Sequence, residues 1–263
     1  MVLDFYKYQG TGNDFVLIDN RGKKYNVLTQ EQISMLCHRK FGIGADGLIM
    51  LENSNNYDFA MKYFNSDGLE STMCGNGGRC ITIFAKHLGI IIDSTVFEAI
   101  DGIHKATILS DNNVCLEMTD CTMPKQISEN KYFINTGSPH IVIYTEKIDE
   151  IDLIKEGKEI RLFENANVNF SEIENGKVKI RTYERGVEDE TLSCGTGSIA
   201  AAIISAIYNY LPFKNEIEVL TRGGNLKVSF DIQLTNIKKI QLIGQTKKIF
   251  CGKIEINDTD LIK

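Results

Sequence analysis

Two of the seven cysteines stand in matching surroundings. Cys74-Gly-Asn-Gly77 and Cys194-Gly-Thr-Gly197 each set a cysteine ahead of Gly-x-Gly and a run of helix-forming residues. A sulfur at a helix N-terminus faces first-turn N–H groups and the positive end of the helix dipole, which favour an anion. A thiol so placed loses its proton more easily and becomes a usable base or nucleophile. The same N–H groups suit a carboxylate, and the glycines let it come close to the backbone. Two such thiols facing each other have three uses: forming a disulfide, binding a soft metal, or straddling one carbon. Straddling permits inversion of a stereocentre, one thiolate taking a proton from one face while the other thiol supplies one to the opposite face.

The remaining cysteines, Cys37, Cys80, Cys115, Cys121 and Cys251, read as small buried hydrophobes. No CxxC occurs, and His38, His87, His104 and His140 are not at zinc-ligand spacing beside cysteine, so no metal site is expected. Polar residues lie where predicted strands meet turns: Asn65, the Glu184-Arg185 pair, Asn13, Asn167 and His140. A literal dinucleotide fingerprint, Gly42-Ile-Gly-Ala-Asp-Gly47, is rejected. It follows a helix and precedes a strand, the reverse of the order that brings phosphate to a helix N-terminus.

Short strands punctuated by Gly and Asn must position these groups. Asp14–Asp19, Leu48–Leu51, Tyr57–Phe64, His140–Tyr144, Val178–Tyr183 and Leu226–Phe230 are rich in β-branched and aromatic residues. A first helix is predicted from Thr29, whose Thr29-Gln-Glu-Gln32 forms a capping box ahead of Ile33, Leu36 and Cys37. A second spans Cys74 to Leu88 with Gly89 as its stop, and a third spans Cys194 to Tyr210, ended by Pro212. From Ile199 to Ile207 the third is Ala and Ile on nearly every side, which requires protein all round it. The expected fold class is α/β (α+β), a curled, mostly antiparallel sheet wrapped about a central helix.

Thr11-Gly-Asn-Asp-Phe-Val-Leu-Ile18 echoes Thr136-Gly-Ser-Pro-His-Ile-Val-Ile143, and the two Cys-led motifs repeat at nearly the same offset. Two copies of one unit are therefore expected. The boundary falls near Asp120, giving an N-terminal half, residues 1–120, that carries Cys74. The C-terminal half, residues 121–246, carries Cys194.

The 263 residues hold 29 Lys+Arg against 35 Asp+Glu, a net −6, with 43% hydrophobic residues. An acidic chain with interspersed charge is a poor sequence-independent nucleic-acid binder. No apolar run approaches the ~18 residues of a membrane span, and Met1-Val-Leu-Asp4 does not read as a secretory leader, so no membrane partner and a cytoplasmic location are expected.

Gly10-Thr-Gly-Asn-Asp-Phe-Val16, Asn65-Ser-Asp-Gly68, Cys74-Gly-Asn-Gly-Gly-Arg-Cys80, Tyr183-Glu-Arg-Gly186 and Cys194-Gly-Thr-Gly197, in this order, resemble the diaminopimelate epimerases. The resemblance implies two pseudo-symmetric halves, each a barrel-like sheet about a central helix, with the active site in the cleft between them. It also returns the last strand, about 247–263, to the first half. It implies a cofactor-independent isomerase that needs no pyridoxal phosphate, interconverts the LL and meso forms of a diamino acid for lysine and peptidoglycan synthesis, and forms a homodimer. By the same resemblance Cys74 and Cys194 are the acid/base thiols, His140 supports Cys74, and Glu184 supports Cys194. The amides of Gly75, Asn76, Gly195 and Thr196 would hold the reacting carboxylate. Asn13, Asn65, Asn167, Glu184 and Arg185 would touch substrate, Arg185 at the distal carboxylate. Two positions depart from the pattern: Gly47 where many members carry Gln, and Ser138 where many carry Asn. A related racemase of another amino acid, a thiol redox sensor, and a non-catalytic carboxylate-binding module are the competing readings.

Overall fold

A computed structural model describes residues 1–212 and 216–256. Its internal contacts divide the chain into two units, Met1–Leu116 with the segment from Gln245 onward, and Glu117–Gly244. Residues 257–263, part of the expected returning segment, lie outside the described residues.

In the first unit, β1 (Val2–Gly10) and β2 (Asn13–Asp19) form an antiparallel hairpin. Helix α1 (Gln30–Cys37) then crosses to β3 (Gly47–Glu52), which lies parallel to β2. β4 (Phe59–Asn65) returns antiparallel to β3, and the short β5 (Glu70–Ser71) pairs with β4. Helix α2 (Gly75–His87) crosses to β6 (Ser94–Ala99), parallel to β4, followed by β7 (Gly102–Ile108) and β8 (Asn113–Glu117). The final strand of the chain pairs with both β8 and β1, closing an eight-stranded barrel without an open edge.

The second unit repeats this order. After β9 (Cys121–Thr122) and β10 (Lys125–Ser128), the strands β11 (Lys131–Asn135) and β12 (Pro139–Tyr144) form the hairpin. Helix α3 (Leu153–Glu164) crosses to β13 (Asn167–Glu174), parallel to β12, and β14 (Lys177–Glu184) returns antiparallel. β15 (Asp189–Thr191) pairs with β14. Helix α4 (Gly195–Ile207) then leads to β16 (Ile217–Thr221), parallel to β14. β17 (Gly224–Ile232) and β18 (Asn236–Glu255) complete the antiparallel run. Antiparallel hairpin, parallel crossover, hairpin, parallel crossover is thus the plan of both units, an α+β fold of two pseudo-symmetric halves.

The helices form for local reasons. Thr29 Oγ1 accepts from the Gln32 amide while Gln32 Oε1 accepts from the Thr29 amide, the reciprocal capping box expected. α4 is buried from Ser198 to Ala206, and β-strand residues Val142, Tyr144, Val178, Ile180, Val219, Leu226, Val228 and Leu242 pack in the same core. α4 ends at Ile207, before Tyr210. Asn209 takes a left-handed conformation (φ 58°) that stops the helix ahead of Pro212.

The sequence reading did not anticipate α3. It buries only Leu153 and Gly157 and is otherwise dominated by charge, so it shows little apolar stripe. The repeat held the missing signal: carrying α1 forward by the echo's offset of 125 lands on 155–162, inside Leu153–Glu164. No helix among the described residues is long and apolar enough to cross a membrane.

Candidate active site

Both central helices open on a cysteine. Cys74 is the N-cap of α2 and Cys194 the N-cap of α4, each with an extended backbone and no side-chain cap bond. The sulfur therefore stands at the positive end of a buried helix, beside N–H groups that have no acceptor within the helix. Cys74 is half-buried and Cys194 is buried.

In the first unit Asn13, the first residue of β2, is brought to Cys74. Its Oδ1 lies 3.6 Å from Cys74 Sγ and accepts from Asn76 Nδ2 at 3.3 Å. Its Nδ2 donates to Asp46 at 2.6 Å, which fixes the amide so that oxygen, not nitrogen, faces the sulfur. Behind Asp46 stands a charge cluster. Arg39 bridges Asp46 and Asp14, and Lys7, nearly inaccessible, pairs with Asp14 at 2.8 Å and donates to the Gly44 carbonyl. Burial pushes the Asp14 carboxyl up, but the Arg39 and Lys7 hydrogen bonds outweigh it and hold it at about 2. Asn65 ends β4 opposite Gly47 and is exposed.

Two groups in this unit escaped the sequence reading. Arg79 is fully buried in α2 and donates to Thr11 Oγ1 at 3.0 Å, Asn76 Oδ1 at 2.9 Å and the Gly75 carbonyl at 3.3 Å. Among the described residues no carboxylate is among its partners, and its Nε has none. Burial lowers its proton affinity, while the nearby thiols of Cys80 and Cys74 act the other way. A lone cation inside an otherwise apolar helical stretch was the available signal. The cluster of Lys7, Asp14, Arg39 and Asp46 had none, because its members come from four separate segments.

In the second unit His140, at the equivalent strand start, is wholly buried. Its Nε2 lies 2.9 Å from Thr196 Oγ1 and 3.0 Å from Ser138 Oγ, and Thr196 Oγ1 lies 3.5 Å from Cys194 Sγ. Burial, then the Arg185 charge, push the imidazole down to about 3, so it is neutral at pH 7. Asn167 opens β13. Its Nδ2 donates to Ser138 Oγ and the Pro139 carbonyl, and its Oδ1 accepts the Arg185 backbone N–H at 2.9 Å. Asn169, two residues on and fully buried, reaches His140 Nδ1 at 3.0 Å and was also missed. Glu184 ends β14 as Asn65 ends β4, and Arg185 is exposed with its guanidinium on the Asn165 carbonyl. The second unit thus brings Ser138, His140, Asn167, Thr196 and Cys194 into one network, as the first brings Asn13, Asn76 and Cys74 together.

The Gly42–Gly47 run lies in the turn from α1 to β3, where Gly42 donates to His38 and Gly44 to Leu36. It opens no helix, so it lacks the helix N-terminus on which that fingerprint relies.

Comparison with known proteins shows the family. The family model described as Diaminopimelate epimerase matches residues 5–124 and 132–248. A diaminopimelate epimerase of Flavobacterium psychrophilum is 46% identical over 94% of this chain and 98% of its own length. That of Aquifex aeolicus is 37% identical over 96% and 98%. Among solved structures, a PhzF-family phenazine biosynthesis protein of Bacillus anthracis superposes with a TM-score of 0.76 at 14% identity, over 97% of this chain and 100% of its own. A probable proline racemase of Agrobacterium radiobacter gives 0.74 at 14% identity, over 98% and 94%; these two likenesses concern the fold alone. The chain belongs to the diaminopimelate epimerase family, and it is an isomerase.

Proposed function

We propose that this enzyme interconverts LL- and meso-diaminopimelate by two-base proton transfer at Cα, without a cofactor, in the supply of lysine and peptidoglycan precursors. One thiolate removes the Cα proton, the electron pair spreads into the adjacent carboxylate, and the opposing thiol protonates the other face. Cys74 and Cys194 are the two thiols. The amides of Gly75, Asn76, Gly195 and Thr196 stabilise the carboxylate as its charge grows, and losing one such donor typically costs about 3–4 kcal/mol of transition-state stabilisation. Asn13, Asn65, Asn167, Glu184 and Arg185 recognise the rest of the substrate, and His140 and Glu184 tune the thiols.

The observation that carries this reading is the duplication itself: two buried helices, at equivalent places of a repeated fold, each opening on a cysteine. A single-base or binding function has no need of the second copy.

The test is isotope exchange in heavy water with no pyridoxal phosphate or metal added. Deuterium should enter Cα of diaminopimelate, and Cys74→Ala and Cys194→Ala should each abolish epimerisation in a folded protein. Full turnover in either variant ends the two-base scheme. Exchange confined to another amino acid would make this a related racemase. Binding without any exchange would make it a carboxylate-binding module.

A further inference from the structure

Asn169 is oriented by three contacts inside the second unit. Its Oδ1 accepts from Thr182 Oγ1 at 3.0 Å, and its Nδ2 donates to the Ile141 carbonyl at 3.0 Å. Exchanging the two atoms would set oxygen against that carbonyl, so the amide has one workable orientation. Gly197 seals it: a Cβ on residue 197 would fall 2.4 Å from Asn169 Oδ1. With Nδ2 fixed as donor, His140 Nδ1, 3.0 Å away, must accept. A neutral imidazole that accepts at Nδ1 carries its proton on Nε2. That N–H faces the hydroxyls of Thr196 and Ser138. Once the Thr196 oxygen accepts from the ring, its own hydrogen is available for Cys194 Sγ at 3.5 Å.

We propose that Asn169 is a positioning residue: it holds His140 as the Nε2–H tautomer, so that Thr196 presents its hydroxyl proton to the Cys194 sulfur. A hydroxyl donating to sulfur favours the thiolate over the thiol. The direction of hydrogen bonding at the sulfur is thus set at Asn169 and relayed through His140 and Thr196. The inference rests on the two-thiol reading for its catalytic meaning, but its first readouts do not.

The test uses the intact protein. Nitrogen NMR of 15N-histidine protein should show His140 protonated at Nε2 and not at Nδ1. Asn169→Asp, which turns the Nδ1 partner into an acceptor, should reverse this. Peptide-mapped alkylation across pH gives the midpoint for Cys194, which is independent of how accessible the sulfur is. That midpoint should rise by about one pH unit in Asn169→Leu and in Thr196→Val, the loss of one hydrogen bond to a charged atom. Thr196→Ser should keep it. Epimerisation should fall about tenfold or more in kcat with KM nearly unchanged. An Nδ1–H tautomer in the unaltered protein overturns the proposal, as does a folded Asn169→Leu with an unmoved midpoint. Should the Asn169 variants fail to fold, the native tautomer and the Thr196→Val and Thr196→Ser pair decide alone. A protein lacking epimerase activity but showing these tautomer and alkylation results would fail the proposed function and keep this inference.

Discussion

Arg79 donates to Oδ1 of Asn76 at 2.9 Å from a position without solvent access, one turn inside the helix that Cys74 caps. A buried guanidinium ordinarily requires an anion, and here its partners are neutral oxygens. The positive end of α2 adds to the same field instead of cancelling it. This region of the first unit therefore suits a carboxylate.

Arg79→Met should consequently separate stability from binding. Replacing a buried charge by an apolar side chain of similar length is often neutral or stabilising, so the fold should survive with a change within about 2 kcal/mol. Carboxylate binding should weaken by an order of magnitude or more, equivalent to about 1.4 kcal/mol for each factor of ten. Calorimetric titration with diaminopimelate beside a urea melt checks both. Unaltered affinity in the folded variant would leave Arg79 a packing residue only.

His140 makes stability depend on pH in a defined direction. Its folded value is pushed from 6.5 down to about 3, so the unfolded chain takes up a proton first as pH falls. Stability should decline through the window from about 6.5 to about 3, with a limiting slope on the order of 1.4 kcal/mol per pH unit for one proton. Below that window the folded ring is protonated too and its share of the slope ends. His87 is shifted the same way by partial burial and by Lys248 and Lys86, so the measurement is a difference. Urea midpoints for the unaltered protein and His140→Gln, compared at pH 7 and pH 4.5, should converge at the lower pH.

Asp14 works over a lower range with a shift in the same downward direction. Its folded value of about 2 lies below its ordinary 3.8, so its stabilisation is complete above 3.8 and is lost as pH falls towards 2. The contribution is on the order of 2 kcal/mol, spread over the bonds to Lys7 and Arg39. Asp14→Asn should lose that amount at pH 7 and little at pH 2, where the native carboxyl is half protonated and its unfolded counterpart almost wholly so. Asn13 should loosen with it, since Asp46 receives both the Asn13 side chain and the Asp14 backbone N–H. A rise in KM that accompanies the stability loss would show that link.

Much of this fold was legible because its rules are local. The Thr29 capping box, the all-round apolar Ile199–Ile207 run and the repeat of Cys-Gly-x-Gly each announce themselves within a few residues. α3 was hidden because a helix whose only buried residues are Leu153 and Gly157 looks like a solvated loop, and only the repeat could reveal it. At the site, cysteines and strand-end polar residues were readable by type and place. Asn169 and Arg79 were not, since their meaning lies in partners far along the chain: Asn169 with Ile141 and His140, Arg79 with Thr11. Sequence shows that a polar residue lies in an apolar stretch. Only the fold shows which atom it turns towards.

Gly47 illustrates the same point at a position where many relatives in the resemblance carry Gln. It pairs with Asn65 across β3 and β4. A Cβ there would fall 2.6 Å from the Phe64 carbonyl oxygen and 2.5 Å from the Tyr63 ring. The ring can turn aside, but the carbonyl belongs to the sheet and cannot move without shifting β4. Gly47→Gln should therefore destabilise by about 1–3 kcal/mol, the usual cost of forcing volume into packed structure. Because Asn65 is the next residue after Phe64, the shift should reach the substrate side chain as well, raising KM more than it lowers kcat. A Gly47→Gln protein with unaltered urea midpoint and kinetics would mean that β4 yields more readily than its ladder suggests. It would also mean that the chain's glycine is not what keeps Asn65 in place.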